Sequence, residues 1–114
     1  MPYLRIQTNQ PLSPEQCATL AKTSSATVAE ALGKPEQYMM VSVTPNSPMT
    51  FAGTSDPAAL VELNAIGLPA TRTAELSGML CQLLESGGGV PSDRVYINFN
   101  DVPRHLWGWN GQTF

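Results

Sequence analysis

The sequence predicts an α+β domain: two β-α-β repeats forming a four-stranded mixed sheet, with two helices on one face. Three observations predict it. Strand-like runs with a period of two alternate with two longer segments whose apolar residues recur every three or four positions. Helix starts at Pro14 and Ala70, and post-helix turns at Pro35 and Pro91, are each 56 residues apart, so the pattern repeats over about 1–57 and 58–114 of a 114-residue chain. That length suits one domain with a single core. A strand, a helix and a strand in succession suit a helical crossover between parallel strands, which puts both helices on one face. The other face is expected to carry Leu, Val and Ile, and so to turn inward in a closed symmetric assembly.

Each element has its own local cause. Leu4, Ile6 and Thr8 alternate with Tyr3, Arg5 and Gln7, which predicts a strand over 3–8 with one apolar face. Ser13 as N-cap, Pro14 in the first turn and Gln16 at the third helical position start the first helix. Its inward stripe is Cys17, Leu20, Ala21, Ser24, Val28 and Leu32, and Gly33 ends it. The apolar run Tyr38–Thr44 predicts the second strand, stopped by Pro45 and Pro48. Met49–Ala52 suggests a short hairpin arm. Residues 58–66 alternate Leu60, Glu62 and Asn64 with Val61, Leu63 and Ala65; this favours a strand, although Ala, Leu and Glu also suit a helix. The second helix spans about Ala70 to Ser86 on the stripe Leu76, Met79, Leu80, Leu83 and Leu84, and Gly87–Gly89 terminates it. Arg94–Asn100 alternates as a fourth strand. The tail from Leu106 to Phe114 holds both tryptophans and suggests a short strand or hooked arm.

Composition excludes several function classes. Nine acidic against six basic residues give a net charge of −3, with no basic run, so nucleic acid is not an expected partner. No apolar segment of about 18 residues exists, and no basic region precedes an apolar one at the N-terminus, so neither a membrane span nor a secretory signal is expected. Cys17 and Cys81, 64 positions apart, match no metal spacing; they are expected to be reduced and buried, as in a cytoplasmic protein. No metal or cofactor is expected.

The candidate for chemistry is Pro2. Removal of an initiator methionine tolerates a following proline, which would leave a free secondary amine at a fixed site. A proline inside a chain is an amide with no basic nitrogen. A terminal one is a base and nucleophile on a rigid ring.

Met1-Pro2, Gly33-Lys34-Pro35 with Gln37-Tyr38, Asn64–Gly67, Pro91–Asn98, Gly108-Trp109-Asn110 and Thr113-Phe114, in that order over the whole chain, resemble the macrophage migration inhibitory factor family and its tautomerase relatives. The resemblance implies a β-α-β-β-α-β protomer assembled as a homotrimer, with pockets at subunit boundaries and keto-enol tautomerase activity on phenylpyruvate-like 2-keto acids. It makes Pro2 the base and has Lys34, with the backbone at Ile66, hold the substrate carboxylate. It has Tyr96 and Asn98 come from the neighbouring subunit, and Tyr38, Trp109 and Phe114 form an aromatic wall. It also allows secretion by a non-classical route.

The chemistry of the residues agrees with those roles. Enolisation needs a base with a pKa near the working pH. A chain-terminal amine starts at about 7.7–8.0, and burial among aromatics beside a lysine cation lowers it. Lys34 therefore binds the carboxylate and disfavours protonation of Pro2; outside such a site it would merely favour the end of the first helix. The aromatics could equally serve a core or an interface. A buried amide at Asn98 needs partners. The donor to the enol oxygen is open between the Asn98 amide, a tyrosine hydroxyl and water. His105 reads as a surface loop residue, and Asp93-Arg94 as a turn and pairing element.

Departures from the family pattern narrow the expectation. Ala58 and Val61 stand where cytokine-type members carry a Cys-x-x-Cys pair, which disfavours thiol redox chemistry. Tyr3, Asn64, Ala65 and Trp107 differ from vertebrate members around the pocket rim, and Trp107 is expected to narrow the entrance. Two functions follow: a cofactor-free tautomerase of small aryl 2-keto acids, or a cytokine-like interaction protein whose pocket is secondary.

Overall fold

The structure is a computed structural model that describes residues 1–114. In chain order it forms β1 (Tyr3–Thr8), α1 (Pro14–Leu32), β2 (Met40–Thr44), β3 (Ala59–Ala65), α2 (Thr73–Gly88), β4 (Val95–Asp101) and a small hairpin of β5 (Gly108–Trp109) and β6 (Gln112–Thr113). The main sheet has the order β2-β1-β3-β4. β1 and β2 are parallel, β3 and β4 are parallel, and β1 and β3 join the two halves antiparallel. Each parallel pair is bridged by a helix, as the 56-residue repeat predicts. The 58–66 run is a strand and not a helix: alternate residues Ala59, Val61, Leu63 and Ala65 are buried.

The core lies between one sheet face and both helices. Leu4, Ile6, Val61 and Leu63 from the sheet meet Leu20 and Val28 of α1 and Leu76, Leu80 and Leu84 of α2 in one cluster. Each such aliphatic side chain contributes about 1.5–3 kcal/mol by leaving water. Local signals hold the ends in place. The Ser13 hydroxyl accepts the Gln16 N–H at 3.1 Å while the Gln16 side chain accepts the Ser13 N–H at 2.8 Å, a complete capping box. Gly33 closes α1 at φ 64°, a left-handed conformation that suits glycine.

The structure differs from the expectations at several points. Tyr38 is not in a strand: Pro35 turns the chain so that Glu36–Tyr38 forms a 3-10 turn, and β2 begins at Met40. Likewise residues 70–72 form a 3-10 turn, and α2 begins at Thr73. The arm at 49–52 is reduced to a single bridge between Phe51 and Thr54 around Ala52 and Gly53, both at positive φ. Cys17 and Cys81 are free but half-buried, because both lie at the edge of their helix stripes.

The uncovered sheet face is the main correction. It is not a Leu-Val-Ile surface, because the strand alternation sends nearly all of those residues toward the helices. Arg5 faces Glu62 across β1 and β3 at 3.9 Å, and Tyr3 Oη lies 3.0 Å from Ser42 Oγ. Leu60, Met40 and Tyr96 are the larger apolar residues on that face. Burial of an apolar sheet face is therefore not a driving force for assembly.

Candidate active site

β1 is an interior strand, and this fixes what surrounds the start of the chain. Pro2 is fully buried, and its carbonyl accepts the Met40 N–H at 3.1 Å, which extends the β1–β2 pairing by one residue. A proline fits there because the position needs an acceptor and no donor. On the other flank β1 and β3 pair as far as Tyr3 and Asn64, so Pro2 and Ile66 both lie beyond that end of the pair. Asp101 fixes the turn after Ile66: its Oδ1 accepts the N–H groups of Gly67 and Leu68 at 3.1 and 3.2 Å.

Above Pro2 is a cavity of about 470 Å3. Its walls are Met1, Pro2 and Tyr3 from the first strand, Gln37, Tyr38, Met39 and Met40 from the turn into β2, and Trp107, Gly108, Trp109 and Phe114 from the tail. The tail reaches back because Asn110 and Gly111, at φ 52° and 75°, form the two-residue turn that joins β5 to β6. Trp109 and Phe114 stack with centroids 5.7 Å apart, and Tyr38 meets Trp109 edge-on at 5.8 Å. Trp107 lines the cavity as well. A polar groove of similar volume, about 480 Å3, runs between α1 and α2, but it has no aromatic wall and Glu15 is its one ionisable residue.

The electrostatics at the chain's start favour a neutral amine. With Met1 in place this amine belongs to Met1, one residue ahead of the Pro2 nitrogen, which is then an amide. Burial pushes its pKa below the ordinary 8.0, and the positive charges of Lys34 and Arg104 push in the same direction. No Asp or Glu side chain is among the residues that line the cavity.

The predicted site residues thus divide into two groups. Pro2, Tyr38, Trp109 and Phe114 share the cavity, Lys34 bears on it through its charge, and Ile66 sits beside it at the end of β3. Tyr96 and Asn98 are elsewhere. Both are exposed on the open face of β4, and Asn98 is not a buried amide. Tyr96 pairs through Leu60 with Gln7, five residues along β1 from Pro2. That is about 16 Å along the strand and about 10 Å across two strand spacings. Neither residue reaches the cavity of its own protomer. Tyr96 instead packs on Phe51, 4.7 Å between centroids, beneath the Arg94 guanidinium.

Three residues of this arrangement were not singled out as functional by sequence reasoning. Arg104 is a second cation at the amine; a lone arginine between Pro103 and His105 carries no spacing signal. Asp101 was legible only as a strand end. Arg94, read as a turn and pairing residue, donates to the carbonyls of Phe51, Thr54, Asp56 and Pro57 and so locks the 51–57 loop onto β4. His105 is exposed, as expected.

Comparison with known proteins agrees with this geometry. The family model described as Macrophage migration inhibitory factor (MIF) matches residues 1–114. The chain is 41% identical to the macrophage migration inhibitory factor of Rattus norvegicus, covering 100% of this chain and 99% of that one, and 37% identical to the homolog of Brugia malayi at the same coverage. Among solved structures, the homologue from Prochlorococcus marinus superposes with a TM-score of 0.93 at 44% identity over 98% of each chain. The Toxoplasma gondii protein does so at 0.91 and 31%, over 98% of this chain and 99% of that one. With its β-α-β-β-α-β core and its start set against an aromatic cavity, the chain belongs to the macrophage migration inhibitory factor family and has the tautomerase superfamily fold.

Proposed function

We propose that the protein is a keto-enol tautomerase of phenylpyruvate-like 2-keto acids, with Pro2 as general base once Met1 is removed. The observation that carries this reading is Pro2, fully buried at the floor of an aromatic cavity, where burial, Lys34 and Arg104 all disfavour a protonated amine. Removing Met1 transfers that amine to the Pro2 ring nitrogen in the same surroundings. In enolisation the nitrogen takes a proton from the carbon next to the keto group, the C–H electron pair becomes the C=C bond, and the carbonyl oxygen gains a proton. Ketonisation is the reverse. The cavity volume of about 470 Å3 lies in the range of small-molecule sites, roughly 300–1,000 Å3. Tyr38, Trp109 and Phe114 suit an aryl group, and Lys34 suits the carboxylate.

The donor side of the site is supplied by a second copy in this reading. Tyr96 and Asn98 are exposed on β4 and too distant from their own cavity, so a neighbouring protomer in a homotrimer would bring them to it. Such small homotrimers are typical of this family.

The test combines mass spectrometry of the mature chain with phenylpyruvate kinetics. Expected are a mass lacking Met1, turnover of phenylpyruvate, and loss of turnover in Pro2→Gly and in a chain extended at the N-terminus, both still assembled. Undiminished turnover in both variants rules out Pro2 as the base. Absent turnover in the processed native chain, with a partner still bound, favours an interaction protein.

A further inference from the structure

We propose that Arg104 is a positioning residue of this site: it ties the aromatic hook of the tail closed over the cavity at the start of the chain. The hook is a ring of three hydrogen bonds. Arg104 Nε donates to the main-chain oxygen of Phe114 at 3.2 Å, the Phe114 N–H donates to the Trp107 carbonyl at 3.1 Å, and the Trp107 N–H donates to the Arg104 carbonyl at 3.2 Å. One side chain thus fixes where the segment 104–114 begins and ends. Trp107, Trp109 and Phe114, which lie within that ring or at its closure, are the tail's contribution to the cavity wall.

The charge of Arg104 bears on the amine while its Nε–H is bonded to the Phe114 main-chain oxygen. Besides the Phe114 main-chain oxygen that Arg104 holds, a carboxylate oxygen in this 114-residue chain, the titratable and charged groups around the amine are Lys34 from the turn after α1, Arg104 from the 104–106 turn, Tyr38 from the turn before β2 and Tyr3 from β1. Two side-chain carboxylates lie on adjoining segments, each with its own hydrogen-bond donors. Glu36 accepts the Ser25 hydroxyl at 2.9 Å, and Asp101 accepts two N–H groups of the turn after Ile66. Two cations from separate elements therefore bear on one amine, and both favour its neutral form. A guanidinium suits both tasks, because it keeps its charge at every working pH while its Nε–H is committed to a fixed acceptor.

The kinetic meaning of this arrangement rests on Pro2 being the base, whereas the arrangement itself can be tested without turnover. In the full chain, Arg104→Gln removes the charge, Arg104→Lys retains it, and Arg104→Ala removes the side-chain tie. The first amine is titrated through the pH dependence of its reaction with an acylating reagent, read by mass spectrometry. Its midpoint should rise in Arg104→Gln and stay near the native value in Arg104→Lys. Both tryptophans lie in the hook, so tryptophan fluorescence, excited selectively over tyrosine, reports on it alone. Arg104→Ala should shift emission to the red and increase quenching by acrylamide, with partial rescue in Arg104→Lys. An unmoved midpoint in Arg104→Gln, or unchanged quenching in Arg104→Ala, overturns the proposal. If the native chain turns over no phenylpyruvate while both responses appear, the reading of Pro2 fails and this one stands.

Discussion

Trp109 and Phe114 stack with their planes 9° from parallel, although β5 and β6 are only two residues each. The pair is held by the Asn110-Gly111 turn and roofs the cavity above Pro2. An aromatic pair of this kind contributes about 0.5–1.5 kcal/mol beyond its buried area. Trp109→Leu or Phe114→Leu should therefore raise KM for phenylpyruvate roughly two- to twelvefold with a smaller change in kcat. Steady-state kinetics on both single variants and the double variant checks this, since coupled residues give a double variant less impaired than the sum.

Lys34 lowers the pKa of the first amine, so its removal should move the acidic limb of the pH profile of kcat/KM. A base must be unprotonated to act, and activity falls as pH drops through the amine's pKa. Lys34→Gln should shift that fall to higher pH and raise KM as the carboxylate partner is lost. A limb that stays in place would show that Lys34 acts only on the substrate.

The same amine makes stability depend on pH. Its folded pKa lies below the ordinary 8.0, so the unfolded chain binds the proton more readily in the window between the folded value and 8.0. Stability should rise with pH across that window and level off above it. Urea unfolding at a series of pH values, with the amine free and then acetylated, separates this contribution from the carboxylates; acetylation should abolish the slope assigned to the amine.

Leu80 is fully buried between α2 and the sheet. Leu80→Ala should cost about 2–5 kcal/mol by leaving a cavity in a core that both halves of the repeat share. Chemical denaturation should show one cooperative transition for native and variant alike. Two separate transitions would mean that the halves fold independently.

Arg94 holds four carbonyls of the 51–57 loop, and that loop places Phe51 against Tyr96. Arg94→Lys keeps the charge but cannot reproduce the planar fork, and should cost about 1–3 kcal/mol. If Tyr96 serves a neighbouring protomer, phenylpyruvate turnover should fall with it. Thermal unfolding and kinetics on the same sample distinguish lost stability from lost placement.

Much of this arrangement was legible in local sequence. The capping box at Ser13 and Gln16, the glycine closing α1 and the 56-residue offset depend on neighbours in the chain, and sequence spacing records them directly. Boundaries failed where a proline allowed a turn: Pro35 and Pro69 each precede a 3-10 turn in place of an immediate strand or helix. The character of the open face depends on pairing: Val41 lies beside Leu4 and Val43 beside Ile6, which puts both valines on the helix side of the sheet, and strand register is set by the fold and not by β2 alone. For the site, the resemblance identified the cavity residues, but the Arg104–Phe114 bond and the two Asp101 contacts link segments that only the folded chain brings together.

Met1 and Phe114 line the same cavity, one from the centre of the sheet and one from the hook. Shortening the tail therefore removes one wall of the pocket while leaving the sheet and both helices whole. For protein engineering, neither terminus is a neutral place for a tag.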